Sequence, residues 1–405
     1  MNLLYLRRAL TAIFSIGVLF AAFYFFALQQ WLQYAGDDVL AVLNRVLGRG
    51  ELRPMQYYVG KLQHFATFYL LLWVALVPTL ALFIHRLDKP AKPSRWAETG
   101  LVMLYALLFF LFLSIYGSEE IWYPIDKILH YNGNPPFQHR VLLLLPAQAL
   151  LLLAPSLPYM HAFLFSQMVA VGVALWAMKR FSALFIRPDL AFVGQFLTLL
   201  MWAPTIRYYT CYDIAIIAVY ALALYYLFNK RWLPYLVVLT VGTFNHETTL
   251  FLIGLSALVL FRQVKLSRLA GFLALQVACY AAVRLLLFTL LPAQRAWEGG
   301  KPALNIDLFV NHQLHMVMIL GPLVLWYALA AFGLRSAPVA LRWCVALLPC
   351  LGLMTFMVGQ YNESRQFDAF IPVAVGLMLC ALRARSSAAE PQAQPAADYA
   401  MAAAT

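Results

Sequence analysis

The sequence predicts an all-α polytopic membrane fold of about twelve transmembrane helices plus one re-entrant or interfacial helix, and three observations carry that expectation. First, apolar stretches recur along the whole chain at close to the roughly 20 residues a helix needs to cross about 30 Å of hydrocarbon. Second, hydrophobic residues make up 63% and charged residues 11% of the 405, with a mean hydropathy of +0.76. That balance is far from a soluble domain's. Third, the charges sort when the stretches are threaded across a bilayer. One face collects 18 Lys/Arg and five Asp/Glu (Asp88, Glu98, Asp189, Glu390, Asp398), while the other holds 11 and 12. By the positive-inside rule the basic face is cytoplasmic. A β-barrel is excluded, because these runs are longer than ten-residue strands and apolar all round.

Taken in order, the spans read as 9–31, 64–84, 98–116, 159–178, 190–206, 213–228, 232–244, 248–261, 269–291, 314–333, 343–359 and 367–382. Met1–Leu28 has an apolar run too long for a cleaved signal, so it reads as a retained first span with Arg7 and Arg8 inside. The inner loops then carry Arg86, Lys89, Lys92 and Arg95, Lys179-Arg180, Lys230-Arg231, Arg262 to Arg268, and Arg335 to Arg342. Both termini fall in the cytoplasm. Val141–Ala154 is apolar but too short, and counting it as a crossing would put every later basic loop outside. It therefore reads as the re-entrant or interfacial helix. The pair 232–244 and 248–261 is also short, which places its apex, Asn245-His246-Glu247, below the membrane surface.

The organisation is a single transmembrane domain over 1–385 with outer loops at 32–63, 117–140 and 292–313. The third loop carries Gly299-Gly300 and reads as including a mobile turn. Residues 386–405 are Ala/Pro/Gln-rich without an apolar period and read as a disordered cytoplasmic tail. Five cysteines with no CxxC pair indicate neither a disulfide framework nor a thiolate metal site. The pI near 9.5 comes from topology signals scattered over short loops, so nucleic acid is not an expected partner.

Polar residues that interrupt this apolar background are the candidate site. Asp37-Asp38 follows the first span; adjacent carboxylates suit a general base or a divalent cation, and equally suit a helix N-cap. His139-Arg140 stands at the mouth of the short helix, where the Arg fork suits phosphate oxygens and His can donate or exchange a proton. The alternative there is an interfacial Arg. Asn245-His246-Glu247-Thr248 breaks an apolar run, and ionisable groups at membrane depth persist where a polar partner receives them. HExxH zinc chemistry is excluded, since position 250 is Leu250. Glu363 and Arg365 lie in a dense polar run between the last two spans and form either a local pair or substrate contacts. Arg207 and Asp213 sit at another outer helix end, and Arg284 lies inside a span, about 24 Å from its inner start.

An acidic pair in the first outer loop just past the first span resembles the GT-C glycosyltransferases, which move a sugar from a polyprenyl-phosphate carrier to an acceptor outside the cytoplasm. Asp37-Asp38 is the matching pair. Long first and second outer loops, broken helices near the outer face, and Arg and His near the carrier phosphate are similar as well. The resemblance implies a GT-C-like fold and a base or metal-associated role for Asp37 and Asp38. It also implies polyprenyl-phosphate-linked sugar and a glycan or lipid acceptor as partners, beside membrane lipids.

The functional expectation is a bacterial inner-membrane hexosyl- or pentosyltransferase working on the periplasmic side. Asp37, with Asp38, deprotonates the acceptor; Arg140 and Arg365, with Arg284 or His246, neutralise the departing phosphate; Glu247 and Glu363 orient the sugar; and His139 and Arg207 complete the substrate-binding set. No cofactor is required; a divalent cation, Mg or Mn, is compatible. Two rivals stand beside it: a polymerase or ligase of lipid-linked glycans, and a transporter or flippase for a lipid-linked or anionic solute. The absence of a sequence repeat and the one-sided polar groups weigh against the transporter.

Overall fold

Long runs of Leu, Ala, Val and Phe, cut by Pro and charged residues at intervals, fold into helices, because a helix satisfies its own backbone within one segment. The computed structural model describes residues 55–88, 96–112, 139–205, 213–291, 300–361 and 363–387, with positions 15, 19, 38 and 41 singly. Among the described residues there is no strand.

In chain order the helices are α1 (Met55–Asp88), α2 (Trp96–Phe112), α3 (Leu144–Leu153), α4 (Tyr159–Ser182), α5 (Phe192–Trp202), α6 (Asp213–Phe228) and α7 (Trp232–Thr243). They continue as α8 (Leu250–Leu260), α9 (Leu266–Leu290), α10 (Pro302–Asn311), α11 (Gln313–Ala331), α12 (Val339–Val358) and α13 (Ile371–Ser387). Five segments are long and apolar enough to cross a membrane: Leu70–Leu87, Tyr159–Ser182, Leu266–Leu290, Val339–Val358 and Ser364–Ala384. The other apolar helices are shorter.

Helix α6 is the centre. It is apolar on nearly every face, as a surrounded helix must be, and every residue from Asp213 to Ala221 is buried, with Ala223, Leu224 and Leu227 beyond them. It packs between α4 and α7, and α13 closes the core with Ile371, Val373, Ala374 and Val375 buried. The approach of α7 to α6 is close enough to require glycine, since a Cβ on Gly242 would stand 2.5 Å from Val219 Cγ1. By contrast, α4 leaves Phe165, Val169, Val173 and Trp176 exposed at helical spacing. Such outward apolar stripes are compatible with a membrane protein.

The two ends of the bundle differ. At one end Glu98 receives Arg86 at 2.8 Å and pairs with Lys179. Arg86, buried, also donates to the Asp189 carbonyl and lies over the Phe192 ring at 5.3 Å. Arg187 grips Asp189 with two bonds of 2.7 and 3.1 Å and donates to the Arg86 carbonyl at 2.8 Å. Basic residues expected as topology signals are thus built into an ion network joining α1, α2, α4 and the start of α5. Phe181 and Phe228 meet here at 6.1 Å, so the basic ends of α4 and α6 share one level.

Several sequence boundaries need correcting. Helix α1 begins at Met55, inside the stretch expected as the first outer loop. The expected third loop contains α10, held by Asn305 Nδ2 donating to the carbonyls of Thr355, Phe356 and Gly359 at 2.9–3.2 Å. Pro302 at the helix start supplies the preset φ that lets this short segment helicate. Helix α13 runs on to Ser387, two residues into the expected tail; positions 388–405 lie outside the described residues. The expected first span, 9–31, apart from positions 15 and 19, and most of the first two outer loops also lie outside them.

Candidate functional site: a charged centre at half depth

The Asn-His-Glu apex sits inside the bundle because α7 and α8 are each too short to cross it. Helix α7 has 12 residues and α8 11, about 18 and 16 Å. An apex at that depth must satisfy its backbone without water, and neighbouring helices do so. Tyr280 of α9 donates to the Glu247 carbonyl at 3.1 Å, and Tyr220 of α6 to the Thr248 carbonyl at 2.6 Å. The Phe244 carbonyl accepts the N–H groups of Val141 and Leu142 at 2.8 and 3.2 Å. Those last bonds seat the residues just before α3 against the apex. Tyr280 lies ten residues before Leu290, so α9 continues about 15 Å beyond the apex.

Helix α3 is a half-length element of ten residues that starts at this level and packs along α4 through Leu144, Ala147, Ala162 and Phe163. Arg140 is therefore delivered to the apex. Its guanidinium meets Glu247 with Nη2 to Oε1 at 2.6 Å and Nε to Oε2 at 3.4 Å. The pairing of His246 with Glu247 that a simple hairpin turn would provide is not what holds the carboxylate. His246 Nδ1 accepts the Thr248 N–H at 3.2 Å, capping the short 3-10 turn Glu247–Thr249, and stands 3.7 Å from Glu247.

Two further arginines complete the centre. Arg365 Nη2 pairs with Glu363 at 2.7 Å, and its Nη1 is 3.7 Å from Asp213. Gln366 Nε2 donates to the same Glu363 oxygen at 3.0 Å. Arg284 lies over the Phe288 ring at 5.1 Å, and its buried Nη1 has no hydrogen-bond partner. No carboxylate pairs with Arg284 among the described residues. Phe288 in turn meets the His139 ring edge-on at 4.6 Å. His139 Nε2 is bonded to the Leu291 carbonyl at 2.9 Å, at the end of α9. Burial holds the His139 imidazole below its ordinary range, against the opposing effect of that carbonyl.

The charges of Arg140, Arg365, Arg284 and Glu247 all bear on His246. Residues 140, 246–247, 284 and 363–365, far apart in the chain, therefore form one electrostatic unit. It reaches the surface through Glu247 and Glu363, whose side chains are 29% and 26% exposed, and through the half-buried Arg284, while Arg140 and Arg365 are buried.

Of the sequence-predicted residues, His139, Arg140, His246, Glu247, Arg284, Glu363 and Arg365 are brought together. Asp38 is helical and exposed; Asp37 and Arg207 lie outside the described residues. The sequence reading passed over Tyr220 and Tyr280, took Asp213 only as a helix end, and took Asp368 only as the end of the dense polar run that holds Glu363 and Arg365. The lone Asp at the start of the otherwise apolar 213–228 was the available signal for Asp213. Among the described residues no group of three His, Cys, Asp or Glu side chains is placed to hold a metal ion. Neither a family model, a curated protein nor a solved structure matches this chain.

Proposed function

We propose that the chain is a glycosyltransferase of the bacterial inner membrane. It would take a sugar from a polyprenyl-phosphate carrier and place it on a glycan or lipid acceptor at the periplasmic face. In this reading the fold is GT-C-like, about twelve helices cross, both termini are cytoplasmic, and the ion network around Glu98 marks the cytoplasmic end.

The observation that supports it is the convergence of Arg140, Arg284 and Arg365 on His246, well below the end of α9. Fixed guanidinium groups below the bundle's end would draw in a lipid phosphate and stabilise the charge that develops as it departs. In the reaction the acceptor oxygen attacks the anomeric carbon and loses its proton to a carboxylate. The bond from that carbon to the phosphate oxygen breaks, and polyprenyl phosphate leaves with the electron pair. Arg284, the arginine without a carboxylate partner among the described residues, contacts the phosphate first. Glu247 and Glu363, the exposed edge, accept hydrogen bonds from sugar hydroxyls. Asp37, with Asp38, supplies the base from the first loop, and any Mg or Mn would be held there.

The experiment is transfer of label from polyprenyl-phosphate sugars to extracted membrane glycans and lipids, in vesicles with and without the protein. Dependence of transfer on the protein, and its loss in Arg140→Ala and Arg365→Ala at equal abundance, supports the reading. Undiminished transfer in both variants contradicts the assigned roles. A second reading, a carrier of lipid-linked or anionic solute, is favoured by one feature: the backbone is broken at depth at Glu247–Thr249 and Ser364–Phe370, as at transporter sites. Movement of unmodified solute into vesicles would decide for it. A lipid-linked glycan polymerase or ligase would use the same phosphate contacts and is told apart by its product.

A further inference from the structure

Residues Ser364–Phe370 form a 3-10 helix of seven residues before α13, longer than the three or four at which such geometry usually stops. It packs on the start of α6 and on the short turn Ala203–Thr205. That packing carries two carboxyls into the interior. Asp368 is 0% and Asp213 1% exposed, and their charges bear on each other.

What surrounds them is short of donors. Among the described residues neither oxygen of Asp368 has a hydrogen-bond partner, nor has Oδ2 of Asp213. Two hydroxyls stand near Asp368, those of Thr205 and Tyr327. Thr205 gives its proton to the Trp202 carbonyl at 2.6 Å, and Tyr327 gives its own to the Phe367 carbonyl at 3.3 Å. Ser364 Oγ, fully buried four residues before Asp368, also lacks a partner. The nearest cation, Arg365, is shared: it pairs closely with Glu363 and only loosely, at 3.7 Å, with Asp213. Three carboxyls thus draw chiefly on Arg365, with Arg140, itself paired with Glu247, also acting on Asp213, and Asp368 has no ion pair among the described residues. Buried negative charge of this kind is strongly unfavourable unless a positive charge joins it.

We propose that Asp213, Asp368, Ser364 and Thr205 form a binding site for one monovalent cation with the hardness of sodium. The donors are all oxygens, as a hard cation requires. Three carboxyls against Arg365 leave two negative charges, of which a proton shared between Asp213 and Asp368 would meet one and a monovalent cation the other. Buried carboxylates at membrane depth commonly mark ion sites. Filling the site would relieve Arg365 of its loose pairing with Asp213, leaving it to Glu363 and a bound phosphate. That linkage rests on the transferase reading; cation binding itself does not.

The test uses the full-length protein purified in detergent at fixed pH and ionic strength, with sodium replacing choline. The expected result is a saturable rise in Tm and saturable binding of radiolabelled sodium. Asp368→Asn should lose both, and Thr205→Val should raise the half-saturating concentration by about tenfold, the worth of one hydrogen-bonding group. Asp307→Asn, on the exposed face of α10, should change neither. No sodium-specific rise, a rise retained in Asp368→Asn, or stabilisation that follows pH alone would each overturn the proposal, the last in favour of a shared proton. Should Asp368→Asn fail to fold, sodium binding to the wild type and to Thr205→Val decides. The readouts involve no sugar donor, so failure here is distinguishable from failure of the transferase reading.

Discussion

Arg140 and Glu247, 107 residues apart in the chain, meet in a forked ion pair whose shorter arm is 2.6 Å. Arg140 arrives on the segment that enters the half-length helix α3, and Glu247 on an apex that two short helices leave inside the bundle. Each residue is placed by an element too short to cross. The pair is therefore a consequence of helix length as much as of charge.

Removing one partner leaves a buried charge, so Arg140→Ala and Glu247→Ala should each cost about 2–3 kcal/mol. The double variant should cost clearly less than the two single losses together. Denaturation of the purified protein in a double-mutant cycle measures this; strict additivity would show that the pair is not an energetic unit.

At the opposite end, Glu98 is the shared anion of Arg86 and Lys179. Glu98→Gln should destabilise by about 2–4 kcal/mol, because Arg86 is buried and would lose its charge partner. Lys179→Met should cost only about 0–1 kcal/mol, since Lys179 is more than a third exposed. Equal losses in the two variants would contradict the assignment of Arg86 as the buried member.

Gly333 follows α11 where a Cβ would come within 1.8 Å of the Leu377 carbonyl of α13. That contact is with backbone and cannot be relieved by a rotamer change. Gly333→Ala should therefore destabilise by about 1–3 kcal/mol or force α11 away from α13. An unchanged Tm would show that the two helices do not approach as described.

His139 is held neutral by burial, its pKa lying below the ordinary 6.5. A depressed histidine favours the neutral folded form, so its contribution is present above the unfolded value and is lost as pH falls below it. Wild-type stability should decline as pH drops from about 6.5, and His139→Gln should flatten that decline. A variant with the wild-type slope would place the titration elsewhere.

Much of the helical layout was legible because apolar runs and charges obey the bilayer's constraints. The expected span 213–228 coincides with α6, and the expected half-helix at 141–154 contains α3. The depth of Asn245-His246-Glu247 followed from the shortness of 232–244 and 248–261. Three-dimensional pairing was not legible. Nothing local tells Arg140 from an interfacial arginine, or brings Asp213 to Asp368 across 155 residues. The third loop hid α10 because its stability comes from Asn305 binding the far end of α12, a contact with no sequence period.

The most direct test of the central claim is native mass spectrometry of the purified protein with polyprenyl phosphate, comparing the wild type with Arg284→Ala and Arg365→Ala. The account predicts a bound lipid phosphate on the wild type and affinity at least about tenfold weaker in each variant, since each guanidinium makes a charge-assisted contact. Equal occupancy in all three proteins, or none in the wild type, would contradict it.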